Sequence, residues 1–394
     1  ILAVFTILWI IGYMLAVAPQ PIASGLLAPG GMGAIGYTSG MAAFKYNGSI
    51  VVYEKGNVYS LETGEVYDAC AGNSTILYSG RSPPRLGILM PAADGGIEHL
   101  AYTIPEDAPA PTRTICGSFM SYAVGVDRGH NITLYIHDGD RLRVYRISLE
   151  GARLLDAGTW QGYPLLYTTR GLYLVDTENS TLYRMVFAGI PDGARLGGAG
   201  QGYVWFDDGA GLVVVGDSGS GIIIRGASGW RVEAYDPDRM LAYIVPVTGW
   251  GLIVTSDGDA YRLGFTDAMI PTSSGFTGDG FWLGGFLVAR NSSFIIVLKE
   301  LGEYTMGWGY RTLAWLDRAG QLGVSRVTVD YDLEPAGVLD NGGVAEAPAR
   351  ADVEPAGLGV EAFTVSWDPV SRFFTALTLG IVLSSVLYSL LGEE

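Results

Sequence analysis

Lysine is nearly missing from this chain, which carries it only at positions 45, 55 and 299. Charged residues make up 16% of the sequence, and the formal net charge is −16. Because a phosphate backbone is bound by a basic surface, this balance excludes nucleic acid as a partner. It also argues against adsorption on anionic lipid. Asn, Gln and Cys are scarce as well, which is typical of proteins exposed to heat.

Amphipathic helices and the common catalytic motifs are also lacking. No long stretch between the two ends has a 3.6-residue apolar period, and the Gly, β-branched and aromatic residues favour strands and tight turns. The sequence contains no phosphate-binding Gly-rich loop with its Lys, no HExxH pair and no Cys-rich cluster. We therefore predict no cofactor, no metal and no catalytic residue, and expect a protein that is not an enzyme.

A hairpin pattern repeats through the middle of the chain. In each copy, alternating apolar residues meet a turn that contains Gly, Asp or Asn, and a second alternating run follows. The turns recur roughly every 40 residues, about the length of a propeller blade with four antiparallel strands. We predict an all-β fold with a β-propeller of about seven blades (six to eight) over 33–331; tandem β-sandwich domains are the alternative. The copies lie at 50–64, 132–151, 164–185, 203–226, 252–265 and 286–302.

These repeats resemble the blades of quinoprotein-like and WD40-like propellers over about residues 33–330. The resemblance is one of architecture, since the chain has no Trp-Asp blade ending, no regular tryptophan docking motif and no Asp-box. It implies a ring of antiparallel sheets. It implies no particular activity, because propellers serve many functions.

Uncharged apolar runs stand at both ends of the chain. The first, ILAVFTILWIIGYMLAV, rises about 25 Å as a helix, slightly under the thickness of a bilayer core. We predict a transmembrane helix in each run and extended segments between the helices and the propeller. Cleavage of the first run as a signal peptide is an alternative, because Ala16–Val17–Ala18 matches a cleavage site. The predicted boundaries are 1–17 (helix), 18–32 (linker), 332–371 (a stalk rich in Pro, Gly and acid), 372–391 (helix) and 392–394 (tail).

Small residues lie along one face of the second predicted helix. Ala376, Gly380 and Ser384 recur at four-residue spacing, which lets helices approach closely in lipid. Three interpretations are open: contact with another membrane subunit, packing of the two helices of this chain on each other, and simple exposure to lipid.

Two features predict that the region between the helices lies outside the cell. Five of the Asn residues are in N-x-Ser/Thr acceptor sequences for N-linked glycans, although Asn and Ser also favour turns. Two cysteines, Cys70 and Cys116, suffice for one disulfide, with a pair of buried thiols as the alternative. With the heat-resistant composition, these features suggest an archaeal surface protein from a hot habitat. The predicted glycosylation sites are Asn47, Asn73, Asn131, Asn179 and Asn291.

Three short motifs carry possible chemistry. GDSGS at 216–220 is similar to the nucleophile motif of chymotrypsin-like proteases, but none of the three histidines, His99, His130 and His137, has the matching context. We predict a hairpin turn there. His130 and His137 are seven residues apart and fall on opposite faces of a strand, so they cannot share a metal. The two Asp-Gly-Asp sequences at 138–140 and 257–259 are predicted to be surface turns rather than calcium ligands.

Taken together, the sequence predicts a non-catalytic accessory or scaffold subunit in the plasma membrane, with an extracellular propeller for protein–protein interaction. Its expected partners are other membrane or surface-layer subunits, the lipid bilayer and N-linked glycans. The alternative is a ligand-binding receptor or an enzyme that uses the central channel of the propeller.

Overall fold

The computed structural model describes residues 23–27, 33–38, 41–54, 57–72, 74–93, 95–117, 119–138, 141–237, 240–246, 251–265, 286–288, 294–298, 306–309, 312–344, 347–358 and 361–365. Strands and turns make up this part of the chain, which confirms the all-β prediction. None of its residues belongs to a helix long and apolar enough to cross a bilayer. The predicted helices at 1–17 and 372–391, with Ala376, Gly380 and Ser384, lie outside the described residues.

Seven antiparallel sheets form in the described part of the chain; six of them contain four strands that are consecutive in sequence, and we number these six in chain order. Sheet 1 contains β2 (Gly33–Thr38), β3 (Met41–Tyr46), β4 (Ser49–Glu54) and β5 (Asn57–Glu62); sheet 2 contains β6 (Val66–Gly72), β7 (Thr75–Gly80), β8 (Arg85–Pro91) and β9 (Ile97–Thr103); sheet 3 contains β10 (Pro111–Cys116), β11 (Ser121–Val126), β12 (Ile132–Asp138) and β13 (Arg141–Ile147). Sheet 4 contains β14 (Leu154–Trp160), β15 (Tyr163–Thr168), β16 (Gly171–Asp176) and β17 (Thr181–Ala188); sheet 5 contains β18 (Arg195–Gly200), β19 (Tyr203–Asp207), β20 (Gly211–Gly216) and β21 (Ser220–Arg225); sheet 6 contains β22 (Arg231–Asp236), β23 (Leu241–Val245), β24 (Leu252–Val254) and β25 (Asp259–Phe265).

Turn residues with positive φ join many of these strands. Asn47 and Gly48 have φ values of 47° and 78° between β3 and β4, and Gln161 and Gly162 have 49° and 81° between β14 and β15. Two successive positive φ values match the right-handed twist of the flanking strands, as in a type I′ hairpin. Local turn chemistry therefore fixes the register in which the apolar faces line up.

A separate apolar core lies between each consecutive pair of sheets from 1 to 6. The core between sheets 1 and 2 contains Met41 and Tyr78, and the core between sheets 3 and 4 contains Tyr122 and Val175. Further cores join sheets 2 and 3, sheets 4 and 5, and sheets 5 and 6. Every sheet from 2 to 5 is thus covered on both faces, which explains why its middle strands are almost wholly apolar.

The first strand of each of these six sheets contains one register shift, at its second or third residue. The shift leaves one residue of the first strand without a partner in the second strand, as in a β-bulge. Such a bulge increases the local twist and changes which side chains share a face of the strand. The unpaired residues are Ile35, Tyr67, Thr112, Leu155, Gly197 and Glu233.

Residues 312–358, here called the outer segment, add an outer strand to one sheet after another in reverse order. Tyr59 of sheet 1 receives only a single bridge from Pro355. The predicted stalk at 332–371 is therefore wrong over its described part, because backbone groups that a stalk would expose to water pair with sheet edges instead. The added strands are β29 (Thr312–Gln321) on sheet 6, β30 (Gly323–Thr328) on sheet 5, β31 (Asp330–Val338) on sheet 4, β32 (Asp340–Val344) on sheet 3 and β33 (Ala349–Val353) on sheet 2. A further strand, β28 (Met306–Gly309), pairs with β29.

Sheet 7 combines strands from both ends of the described chain. Its order is β26 (Phe286–Val288), β27 (Phe294–Leu298), β1 (Ala23–Leu27) and β34 (Glu361–Val365). β1 and β34 are antiparallel, with Ala23 opposite Val365. A strand thus forms within the predicted linker 18–32, and another within the predicted stalk 332–371.

Candidate functional site

Polar side chains meet where the first strands of sheets 2, 3 and 4 lie side by side. The backbone amide of Thr114 and its hydroxyl both donate to Asp68 Oδ2, at 2.8 and 3.1 Å. Arg113 Nη1 lies 2.9 Å from Asp156 Oδ1 in an ion pair. These contacts join three neighbouring sheets, and we call Asp68, Arg113, Thr114 and Asp156 the first-strand cluster.

The electrostatics of the first-strand cluster centre on Asp156. Burial raises the pKa of its carboxyl, while the amide of Ala157, the guanidinium of Arg113 and the amide of Ala199 oppose this rise. The side chains of Arg113 and Asp156 remain 46% and 45% exposed, so water screens the pair and keeps the effect small. Within the cluster, the guanidinium of Arg113 pairs with Asp156, and the carboxylate of Asp68 accepts both donors of Thr114.

The bulges explain how these residues come together. Asp68, Arg113 and Asp156 each follow the unpaired residue of their strand directly, so the three occupy equivalent positions in sheets 2, 3 and 4. Sequence reasoning missed them because nothing in the residue pattern reveals a bulge. The only usable signal would have been an alignment of the repeats by strand register.

The predicted disulfide between Cys70 and Cys116 is confirmed, with the Cα atoms 5.7 Å apart. It joins β6 to β10 and so links the first strands of sheets 2 and 3. The strands are close here, since a Cβ atom added to Gly72 would lie 2.9 Å from Cβ of Cys116. The bond therefore lies beside the first-strand cluster and fixes two of its strands.

Three of the five predicted glycan acceptors lie in the described part of the chain, and all three are exposed in turns. Asn47 has a positive φ in the turn between β3 and β4, so turn chemistry alone accounts for it. Nδ2 of Asn131 donates to Asp127 at 2.8 Å, and Nδ2 of Asn179 donates to Asp176 at 2.9 Å. Local turn contacts thus account for the three residues, and their use as glycan acceptors stays a prediction. Asn73 and Asn291 lie outside the described residues.

The protease-like sequence at 216–220 forms a turn, as predicted. It joins β20 to β21, and the amide of Gly219 donates to the carbonyl of Gly216 at 2.9 Å. The Asp-Gly-Asp sequence at 257–259 is also a turn, closed by the amide of Thr255 on the carbonyl of Asp259 at 2.9 Å. The structure does not describe residues 139 and 140 of the other copy.

The three histidines are spread over two sheets. His130 occupies a turn with φ 65°, and His137 lies at the other end of β12 beside the ring of Tyr102. His99 is buried in sheet 2, where its Nε2 is 2.9 Å from the hydroxyl of Tyr78. Burial, aided by the charge of Arg85, lowers the pKa of His99 to about 4; burial raises the pKa of Tyr78 to about 12, against the opposing charge of Arg85. Across the described ranges, no three His, Cys, Asp or Glu residues are grouped as metal ligands.

One large apolar side chain stands out on the surface. Phe119, in the turn between β10 and β11, is 81% exposed. On the outer segment, Val338 is 83% exposed. An exposed aromatic ring on a hairpin turn is suited to contact with another protein, since aromatic residues are enriched at interfaces.

Comparison with known proteins identifies no family: no protein-family model matches the chain, and no curated protein matches it.

Proposed function

We propose that the seven sheets are the blades of a β-propeller that is fixed to a membrane and serves as a scaffold for other proteins. Support for the ring comes from the order of the cores, because each sheet from 2 to 5 packs on both of its sequence neighbours. Tandem sandwiches would pair their sheets two by two. Contact between β2 and β26 brings sheet 7 beside sheet 1.

The pairing of β1 with β34 is the observation that carries the membrane proposal. Ala23 lies opposite Val365, so the chain enters and leaves sheet 7 at the same end. Residues 18–22 and 366–371 then connect these two points to the predicted helices, and each can reach at most about 20 Å. Two helices that start so close together enter one membrane side by side, with the propeller held next to its surface.

The disulfide and the acceptor sequences support an extracellular position, since an oxidising compartment preserves such bonds. Phe119 is the proposed anchor for a partner subunit of the membrane or surface layer. The alternative, a receptor or enzyme with its site in the channel, is favoured by one observation: the partly exposed ion pair of Arg113 and Asp156.

Gentle detergent extraction of the full chain from its native membrane tests the scaffold proposal. We expect a membrane subunit to co-purify in fixed proportion, and mass spectrometry of tryptic peptides to find glycans at acceptor positions. Phe119→Ser should lower the recovery of that subunit at least tenfold, whereas Val338→Ser, which changes an equally exposed apolar side chain, should leave it intact. Recovery of a lone monomer with a bound small molecule would contradict the scaffold proposal and favour the receptor.

A further inference from the structure

The outer segment makes the same contact each time it leaves one of three sheets. One residue directly follows each of its strands on these sheets: Leu322 after β29 on sheet 6, Val329 after β30 on sheet 5 and Leu339 after β31 on sheet 4. We call these three the link residues. The amide of each link residue donates to a carbonyl in the turn between the third and fourth strands of the sheet that it leaves. The distances are 2.8 Å for Leu322 to Gly258, 2.9 Å for Val329 to Gly219 and 2.8 Å for Leu339 to Ser180.

The acceptor residue has a positive φ in all three contacts: 87° at Gly258, 81° at Gly219 and 51° at Ser180. At the two glycine positions there is also no room for a side chain. A Cβ atom on Gly258 would lie 2.4 Å from the carbonyl oxygen of Leu322, and one on Gly219 would lie 2.8 Å from that of Val329. The docking of the outer segment thus explains Gly219 of the protease-like sequence and Gly258 of the Asp-Gly-Asp sequence at 257–259.

The link residues also supply much of the apolar burial of the outer segment. Val329 belongs to the core between sheets 4 and 5, and Leu339 belongs to the core between sheets 3 and 4. They are 2% and 5% exposed. In contrast, nearly every residue of β31 is exposed, although the strand is paired along its length with β17.

We propose that the outer segment is a strap, fastened at these link residues, which separates from the sheets before the four-stranded blades unfold. Local opening is easiest where few apolar side chains are buried, and β30 and β31 meet that condition. Opening uncovers the outer edges of β17 and β21, which are then able to pair with an added strand. Gly219 and Gly258 set how readily the strap opens.

Native-state hydrogen exchange on the full chain tests this proposal. In the wild type, the amides of β30 and β31 should exchange at least tenfold faster than those of β19 and β20, which lie inside sheet 5. Gly219→Ala should accelerate exchange in β30 and β31 a further tenfold or more and leave β19 and β20 unchanged. Gly258→Ala should do the same for β29 and β30.

Gly209→Ala and Gly226→Ala are matched controls, since both glycines have φ 80° and nothing lies within 4 Å of an added Cβ atom. They carry the same backbone strain but touch no link residue, so they should not accelerate exchange in the strap selectively. Equal exchange rates in the strap and in β19 and β20 of the wild type would overturn the proposal. So would equal effects of Gly219→Ala and Gly209→Ala. If Gly219→Ala does not fold, Val329→Ala replaces it with the same expected result.

Discussion

Removal of the disulfide should weaken the fold by a large and measurable amount. Cys70 and Cys116 are 46 residues apart in sequence, and their bond closes that loop in the unfolded chain. The chain-entropy relation for a loop of this length gives ~4 kcal/mol of stabilisation at 25 °C. The bond also joins the first strands of sheets 2 and 3, so the double variant Cys70→Ala/Cys116→Ala loses a covalent constraint between these two sheets.

Urea unfolding of the full chain in detergent, followed by tryptophan fluorescence, measures this loss. With an m-value of about 3 kcal/mol per molar urea, the loss of ~4 kcal/mol lowers the midpoint by more than about 1 M. Reduced wild type should unfold at nearly the same urea concentration as the double variant, because both lack the covalent link. If oxidised wild type and the double variant share one midpoint, the disulfide does not constrain the unfolded chain and the reasoning fails.

Two further predictions concern acid and packing. Burial, and to a smaller extent the charge of Arg85, lowers the pKa of His99 in the folded protein from 6.5 to about 4. The neutral His99 side chain therefore stabilises the fold fully above pH 6.5, and this stabilisation is lost as the pH falls toward 4. The linkage relation gives a loss of ~2 kcal/mol between pH 7 and pH 5, and His99→Gln should remove this pH dependence in urea titrations at the two pH values. Gly197→Ala should cost about 1–3 kcal/mol, because its Cβ atom would lie 2.0 Å from the ring of Trp205. Gly96→Ala, with open space around it, should stay within about 0.5 kcal/mol of wild type by thermal unfolding, and equal effects of the two substitutions would contradict the packing argument.

The strands of the repeating hairpins could be predicted because their physics is local. Alternating apolar residues and positive-φ turns, as at Asn47–Gly48, determine a hairpin without reference to the rest of the chain. The disulfide was equally predictable, since a chain with two cysteines can form only one intramolecular disulfide.

The outer segment could not be predicted, because its partners are far away in sequence. DLEPAGV at 332–338 and DVEPAGL at 352–358 look like linker composition, rich in Pro, Gly and acid. Their Pro residues lie opposite Tyr183 and Tyr59, the third residues of two fourth strands, which explains the repetition. Exposed edge strands commonly carry Pro and charge, so the composition that suggested a stalk also suits an outermost strand.

The first-strand cluster was missed for a different reason. Asp68 and Asp156 look like ordinary strand residues in the sequence, and only the shared bulge shows that they hold equivalent places. A bulge depends on the pairing partner as well as on the residues themselves. Single residues therefore gave no sign of the cluster.

The pairing of β1 with β27 and β34 has a consequence for synthesis. The ribosome makes Ala23–Leu27 among the first residues described, whereas its neighbour β27 follows the four consecutive strands of all of sheets 1 to 6, and its neighbour β34 is the last strand described. Sheet 7 thus cannot be completed on the nascent chain until β34 has been made, whereas the four consecutive strands of each of sheets 1 to 6 can pair as they emerge. During that interval the early strand has a free hydrogen-bonding edge, so its protection falls to chaperones or to the speed of translation.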